Sequence, residues 1–307
     1  PLQVTAGAPE AGGVLLTIQL TEDEDARPAQ GYELKANTSG VSLTASDEAG
    51  IFYGLQTLAQ IIEQLGARFR GFTIKDHPDF DQRGVMLDVS RCKVPTMETM
   101  RQLVDLFARL KFNQLQLYTE HTFAFSAHDV VWHDASPLTH EEILELDAYC
   151  ADRFIQLVPN FNSFGHWERW LRHPEYKHLA ECPEGYEKPR KSNHGSVLAP
   201  NDQSLHMLDS LYGELLPNFT SPLFNVGCDE TWELGQGWSK KLCERKGTTR
   251  VYLDFLLQID KLARRYGRQM MFWGDIILHE PDLIKELPED VVALDWTVEM
   301  DRAREIL

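Results

Sequence analysis

The run Gly84-Val85-Met86-Leu87-Asp88-Val89-Ser90 is almost continuously apolar, and such a run predicts a strand. Pro95 and Thr96 follow it and precede an amphipathic helix predicted over residues 97–112. The alternation continues along the chain, with further strands predicted over residues 114–118, 155–159, 223–227, 269–273 and 291–296. Pro159 is expected at the end of its strand, because proline cannot donate to a sheet ladder. Six strands that alternate with helices indicate parallel pairing with right-handed crossovers.

Two architectures fit this alternation, an open doubly wound sheet and a closed barrel. The first strand is not followed by a glycine-rich phosphate loop, which weakens a nucleotide-binding interpretation. Polar and aromatic residues instead follow strand after strand, namely Arg91, Glu120-His121, 160–166, Asp229-Glu230, 273–275 and Asp295-Trp296. Barrels place their active sites at this rim. We therefore predict a (β/α)8 TIM-type barrel with about six strands in this chain and the C-terminal strands absent, so that the isolated barrel would be open with unpaired edges.

The N-terminal part of the chain has a different pattern. Residues 1–78 are interpreted as a small α/β domain, and residues 79–307 as the barrel. A helix is predicted over residues 49–64, and strands are predicted over residues 14–20, 32–36, 41–45 and 72–74. The first residue is Pro1 rather than Met, so the N-terminus is interpreted as trimmed and the compartment is not predicted.

Composition excludes several classes of partner. The chain has 47 acidic and 30 basic residues and a formal net charge of −17, which disfavours nucleic acid and anionic membranes as partners. Its sequence contains no apolar run near the roughly 18 residues that would predict a membrane span. The five cysteines are widely spaced without a C-x-x-C pair, so the sequence predicts neither a metal site nor a disulfide framework.

The adjacent carboxylates Asp229 and Glu230 are the sharpest local feature. Such a pair is usually a solvated loop, but this one directly follows an apolar strand, where desolvation is costly unless both groups are used. Neighbouring Cα atoms are about 3.8 Å apart. Two-carboxylate glycosidases need carboxyls roughly 5 to 9.5 Å apart, one on each side of the sugar. The spacing therefore favours Glu230 as proton donor and Asp229 as an orienting group, with the nucleophile supplied by another rim carboxylate or by the substrate.

Gly227-Cys228-Asp229-Glu230, taken with Arg83–Arg91, resembles glycoside hydrolase family 20, the β-N-acetylhexosaminidases. Gly31–Leu34 and Ala49–Leu58 resemble the N-terminal α/β domain of that family. The similarity runs from about Gly31 to Trp296. It implies a retaining, substrate-assisted mechanism without metal or organic cofactor, in which the 2-acetamido oxygen of the sugar attacks the anomeric carbon and forms an oxazoline-like intermediate.

The resemblance also implies roles for three polar residues. Asp229 would hold the acetamido N–H and stabilise the developing positive charge. Glu230 would protonate the leaving oxygen and then deprotonate the incoming water. Arg91 would bind sugar hydroxyls, although a structural ion pair is the alternative for this residue.

Four further residues of the pocket are implied in the same way. Trp273 and Trp296 would pack against the sugar, with ordinary core packing as the alternative. His166 would support the acid/base residue, with Glu120 as its carboxylate partner. A buried, hydrogen-bonded histidine without a role in catalysis is the alternative for His166.

Some positions depart from the family pattern. Asn160, Asn162 and Phe164 stand before Gly-His where acidic residues and a proline are common, and Glu120-His121 ends strand two where a His…Asp pattern is frequent. These departures indicate a divergent subgroup. The acetamido-binding tyrosine and further sugar-binding residues of strands seven and eight have no counterpart in this sequence.

Three functions are consistent with these features. We predict an exo-acting hydrolase that removes terminal β-linked GlcNAc or GalNAc from glycans or amino-sugar oligosaccharides. A non-catalytic carbohydrate-binding protein on a degenerate barrel is the alternative, although a pure binder does not need the Asp229-Glu230 pair. A hydrolase of sugars without an acetamido group would need a separate nucleophile such as Asp275 or Asp295.

Overall fold

The computed structural model describes residues 14–21, 28–66, 70–187 and 191–296. Contacts between Cα atoms divide the chain into two units. The first contains the described residues up to Gly84 together with Gln102–Asn113 and Asp152–Ile155, and the second contains Val85–Arg101, Gln114–Ala151 and the described residues from Gln156 onward. Within the described part of the chain, every helix is too short or too polar to cross a membrane.

The first unit is a small α/β structure built on a four-stranded sheet. Its strands, in the spatial order β1-β3-β2-β4, are β1 (Leu16–Leu20), β2 (Tyr32–Asn37), β3 (Gly40–Ala45) and β4 (Phe72–Asp76). Strand β1 runs parallel to β3, and β2 runs antiparallel to both of its neighbours. Helix α1 (Glu48–Leu65) begins at Asp47, whose carboxylate accepts a hydrogen bond of 2.7 Å from the Gly50 N–H. A Cβ on Gly54 would lie 2.3 Å from Leu43 Cδ1, so this glycine lets the helix pack closely on the sheet.

The second unit contains six parallel strands in sequential spatial order, as predicted. They are β5 (Gly84–Asp88), β6 (Gln114–Thr119), β7 (Gln156–Phe161), β8 (Leu223–Asn225), β9 (Gln269–Trp273) and β10 (Val292–Leu294). All residues of β6 and β8 are buried, as are all but the first of β7, which is the pattern of strands covered on both faces. The predicted barrel architecture is thereby confirmed for the strands that this chain contributes.

Helices separate the strands of this sheet. They are α2 (Met97–Arg109), α3 (Asp129–Trp132), α4 (His140–Ala151), α5 (Glu168–Leu171), α6 (Asp202–Leu215), α7 (Lys240–Lys246) and α8 (Thr248–Arg265), with 3-10 turns at Lys177–Leu179, Leu216–Asn218, Ile277–His279 and Pro281–Glu286. Thr139 and Glu142 form a capping box before α4, since each backbone N–H donates to the other side chain, at 2.9 and 3.2 Å. Helix α2 ends earlier than the sequence predicts, because Lys111 has a φ of 61° and turns the chain out of the helix. Phe154, with a φ of 56°, turns the chain in the same way after α4.

The predicted place of Pro159 at the end of its strand is wrong. Pro159 is the fourth residue of β7, between β6 and β8. In a parallel strand, the backbone N–H and C=O groups of successive residues point alternately toward the two neighbouring strands. The Asn162 N–H donates to Thr119 on the β6 side, and the Ser163 N–H donates to Val226 on the β8 side. The backbone nitrogen of Pro159 therefore points toward β8. Because β8 is short, the sheet tolerates the absence of an N–H group at this position.

Candidate active site

Buried amide side chains connect three neighbouring strands beneath their carboxyl ends. Gln116 Oε1 in β6 accepts hydrogen bonds from Asn160 Nδ2 in β7, at 3.1 Å, and from Asn225 Nδ2 in β8, at 3.0 Å. Asn225 Oδ1 in turn accepts the Gly227 N–H at 2.9 Å. Because buried amides are costly unless paired, this network fixes the start of the turn that follows β8.

That turn brings the loops after β7 and β8 into contact. Gly227 has a φ of 66°, and a Cβ there would lie 1.8 Å from Asn162 Oδ1. A Cβ on Gly165 would lie 2.2 Å from the Asp229 carbonyl oxygen. Both positions require glycine, since real Cβ atoms do not approach other atoms this closely. The close approach places His166, which follows Gly165, beside the Asp229-Glu230 pair.

His166 lies among three carboxyl groups. Its Nε2 atom is 3.1 Å from Asp229 Oδ2 and 3.6 Å from Glu230 Oε2. Its Nδ1 atom is 3.8 Å from Glu120 Oε1. The structure thus brings together four residues that the sequence indicated as site residues, from the ends of three different strands.

Charge balance in this cluster depends on His166. Burial alone would lower the pKa of the imidazole, but the hydrogen bond and charge of Asp229, with Glu120 nearby, raise that pKa to about 9. Burial raises the pKa of Glu120, opposed by the hydrogen bond from Tyr118 and the charge of His166. His166 is therefore an imidazolium at neutral pH, and its positive charge offsets the repulsion among the carboxylates around it.

Tyr118 and Asn162 complete the support of Glu120, and the sequence did not single out either as a site residue. The Tyr118 hydroxyl donates to Glu120 Oε1 at 2.8 Å, and Asn162 Nδ2 donates to the Tyr118 hydroxyl at 2.7 Å. Burial and the charge of Glu120 raise the pKa of the Tyr118 phenol, so it remains a donor. Strand periodicity does not predict this contact, because Glu120 lies beyond the end of β6.

Arg91 lies at the edge of the same cluster. Its Nε atom is 2.9 Å from Asp88 Oδ2 and 3.5 Å from Glu120 Oε1. The guanidinium carbon lies 4.6 Å from the centre of the Tyr118 ring, which is a cation–π contact. Slightly more than half of the Arg91 side chain remains exposed. Arg91 therefore combines ion pairing with an accessible face.

Asp275 holds the backbone of Glu230. The Glu230 N–H donates to Asp275 Oδ2 at 3.2 Å, and Glu230 has a φ of 50°. Burial, with the charge of Asp229 adding to it, raises the pKa of Asp275 to about 7. The sequence indicated Asp275 as a candidate nucleophile, whereas the structure gives its carboxylate a contact that orients Glu230.

The carboxylates of the pair differ in exposure. The Asp229 side chain is 13% exposed and its Oδ1 atom has no hydrogen-bond partner, whereas the Glu230 side chain is 41% exposed. The site thus combines a buried acceptor with an accessible carboxyl group. Among the described residues, no group of three or more His, Cys, Asp and Glu side chains has an arrangement suited to a metal ion.

The two predicted tryptophans lie at the end of β9 and just after β10. Trp273 ends β9, is partly buried, and donates its backbone N–H to the Gly227 carbonyl at 2.9 Å. Trp296 follows β10 and is 50% exposed. Trp232, two residues after Glu230 in the sequence, is similarly exposed, and its backbone N–H donates to the Glu230 carbonyl at 2.8 Å.

Solved structures similar to this chain include hydrolases of amino sugars. The β-N-acetylhexosaminidase from Bacteroides fragilis superposes with a TM-score of 0.74 at 22% identity, covering 92% of this chain and 59% of that one. A mutant β-hexosaminidase from Streptomyces plicatus in complex with GlcNAc superposes with a TM-score of 0.73 at 23% identity, covering 95% and 59%. At these identities the likeness shows the fold.

Sequence comparison gives the family. The chain is 25% identical to a β-hexosaminidase of Porphyromonas gingivalis over 90% of its own length and 39% of that protein. It is 27% identical to a β-hexosaminidase of Akkermansia muciniphila over 86% of its own length and 60% of that protein, so it spans about half the length of these relatives. Residues 80–307 match the catalytic domain of glycosyl hydrolase family 20, and residues 2–77 match domain 2 of that family. The chain belongs to glycosyl hydrolase family 20.

Proposed function

We propose that the protein is a retaining exo-glycoside hydrolase that removes terminal β-linked N-acetylhexosamine by substrate-assisted catalysis. One observation carries the proposal, namely the adjacent pair of a buried Asp229 paired with His166 and an accessible Glu230. Family membership supports it, as do the β-hexosaminidase names of the relatives. The proposed substrates are glycans or amino-sugar oligosaccharides that end in GlcNAc or GalNAc.

Asp229 is proposed to bind the acetamido group. Its Oδ2 atom contacts His166, and its Oδ1 atom is buried without a partner, so it can accept the acetamido N–H. The acetamido oxygen then forms a bond to the anomeric carbon as the bond to the leaving oxygen breaks. The resulting ring is positively charged, and the carboxylate of Asp229, which is 13% exposed, stabilises that charge.

Glu230 is proposed to move the proton in both steps. Its partly exposed carboxyl group can reach the leaving oxygen and donate a proton to it. Water then enters, Glu230 accepts a proton from it, and attack at the anomeric carbon opens the oxazoline ring with net retention. The contact between Asp275 and the Glu230 N–H supports this role, because it holds the backbone of the acid in place.

The remaining predicted site residues are proposed to bind and position. Arg91 would donate to sugar hydroxyls with its exposed face, and Trp273 and Trp296 would pack against the sugar. Glu120 would hold the Nδ1 side of His166 and so keep the imidazole charged and directed at Asp229.

The first test compares hydrolysis of p-nitrophenyl β-GlcNAc with hydrolysis of the corresponding β-glucoside. We expect strong preference for the acetamido sugar, because only that substrate carries its own nucleophile. Equal turnover of both sugars would contradict the substrate-assisted mechanism. A folded protein that binds GlcNAc but hydrolyses neither substrate would instead support a non-catalytic carbohydrate-binding protein.

A further inference from the structure

A second concave site lies in the same unit as the candidate active site. Its cavity has a volume of about 560 Å³ and is bounded by the segments after β5 and β6 and by residues of α3 and α5. Ser90 and His121 line this cavity. Ser90 directly precedes Arg91 and His121 directly follows Glu120, and both of these neighbours belong to the candidate active site. The side chains of the catalytic pair do not line it.

The cavity is rich in positive charge although the chain has a net charge of −17. Lys93, Arg169 and Arg172 all line it and are all exposed. Within the described residues, none of the three has a carboxylate at ion-pair distance, and Arg172 Nε instead lies 3.4 Å from His173 Nε2. The acidic residue of the lining, Asp134, is 3.1 Å from His133 Nε2. Three cations and one carboxylate therefore line one space, which leaves an excess of positive charge.

A buried histidine supplies a separate indication that the cavity takes a ligand. His121 is 5% exposed, lines the cavity, and its Nδ1 atom is buried without a hydrogen-bond partner. Burial, together with the charges of Arg169 and Arg172, lowers the pKa of this imidazole to about 4. The ring is therefore neutral at pH 7, and its buried Nδ1 atom is a polar group for which the protein supplies no partner.

We propose that this cavity binds an oxyanion carried by a sugar, such as a sulfate ester, and that Lys93, Arg169 and Arg172 provide the cationic contacts. Arginine side chains bind oxyanions with paired, charge-assisted hydrogen bonds. Cavities for small ligands have volumes of roughly 300–1,000 Å³, so this one has room for a sugar ring as well as its anionic group. The family-20 activity proposed above is not needed for binding at this site.

The free thiol of Cys92 provides a direct readout of occupancy. Cys92 lines the same cavity and is the exposed one of the five cysteines, the other four being buried. The rate at which neutral iodoacetamide modifies Cys92 is measured with increasing glucose 6-sulfate, glucose or inorganic sulfate, at constant ionic strength set with sodium chloride. Glucose derivatives lack the acetamido group, so the assay does not depend on the hydrolase activity.

We expect glucose 6-sulfate to protect Cys92 at lower concentrations than inorganic sulfate, and glucose to give no protection. The Arg169→Gln/Arg172→Gln double variant should need about a hundredfold more sulfated sugar, since each of the two lost charge-assisted contacts is worth about one decade in affinity. Lys240→Gln/Lys241→Gln removes the same charge from exposed positions on α7, away from the cavity, and should leave protection unchanged.

Two results would overturn the proposal. Protection by glucose 6-sulfate that is no greater than that of sodium chloride would show that the cavity does not bind oxyanions. Inorganic sulfate that protects as well as the sulfated sugar would show that the cavity holds a free ion and does not recognise a sugar.

Discussion

Asp229 and Glu230 are neighbours in sequence, but their surroundings differ sharply. The turn after β8 buries Asp229 against His166 and leaves Glu230 accessible, with 13% and 41% of their side chains exposed. Two carboxylates with different environments can take different chemical roles. This difference arises from backbone geometry, since both Cys228 and Glu230 have positive φ values.

Replacing Glu230 by Gln should remove proton transfer while preserving the shape of the side chain. We expect kcat to fall by roughly 10²–10⁴-fold, the usual contribution of general acid–base catalysis, with little change in the affinity for GlcNAc. Both quantities are measured on the same preparation, with circular dichroism as a check of folding. Glu244→Gln, at an exposed position on α7, is the matched control. Loss of folded structure in Glu230→Gln alone would assign the residue to stability instead of chemistry.

Replacing Asp229 by Asn tests the proposed contact with the acetamido group. The amide keeps the size of the side chain but cannot stabilise the positive charge of an oxazoline-like intermediate. Hydrolysis of acetamido substrates should therefore fall by a larger factor than any residual hydrolysis of the β-glucoside. The two rates are compared for wild type and variant. An equal fold reduction in the hydrolysis rates of both substrates would be inconsistent with this role for Asp229.

The sequence located the residues of this cluster better than it located their contacts. Glu120, His166, Asp229 and Glu230 each follow a predicted strand, and parallel strands bring such residues to one rim. The hydrogen bond from Tyr118 to Glu120 was not predictable from strand periodicity, because Glu120 lies beyond the end of β6. Contacts between strands that are far apart in sequence, such as that of Asp275 with the Glu230 backbone, depend on loop geometry that no sequence pattern encodes.

At the scale of elements, the site depends on how closely the loops after β7 and β8 approach each other. Strand order was predictable, because each helix returns the chain to the neighbouring parallel strand. The requirement for Gly165 was not, because it comes from the Asp229 carbonyl in the next loop. The place of Pro159 was equally unpredictable from the sequence, because β7 tolerates a proline at this position only where its neighbour β8 is short.

Gly165→Ala should separate these two loops. The added Cβ would lie 2.2 Å from a backbone oxygen, so the clash cannot be relieved by a side-chain rotation. We expect a loss of roughly 1–3 kcal/mol in the free energy of unfolding, typical of overpacking, together with lower kcat. Chemical denaturation and kinetics measure the two effects. Gly213→Ala is the control, at an exposed position of α6 where the atom nearest to the added Cβ is the Tyr266 hydroxyl at 3.3 Å. This variant should change the free energy of unfolding very little. Wild-type behaviour of Gly165→Ala would contradict the close approach of the loops.

At the scale of the whole molecule, the shifted pKa values set the pH dependence of stability. Burial raises the pKa of both Glu233 and Asp275 to about 7, so between about pH 4 and pH 7 the folded state holds protons that the unfolded state has lost, and stability falls as pH rises. The stability from His166 is fully present below about pH 6.5 and is lost as pH rises through about 9. Ion-paired carboxylates such as Asp76 and Asp254 have lowered pKa values, so their contribution is present above about pH 4 and lost at lower pH.

Buried His121, whose pKa is lowered to about 4, acts in the opposite direction between about pH 4 and 6.5, so these shifts predict a decline in stability from about pH 6.5 towards pH 9. Glu233 gives the sharpest test, because it is 1% exposed and one of its oxygens accepts the backbone N–H groups of Ser196 and Val197. Gln keeps that acceptor and mimics the protonated acid, so Glu233→Gln should match wild type near pH 4 and exceed it near pH 8, by on the order of 3 kcal/mol. Melting temperatures across this range measure the difference, with the exposed Glu184→Gln as control. A variant that is less stable than wild type at pH 8 would show that the Glu233 carboxylate is charged and satisfied in the folded protein.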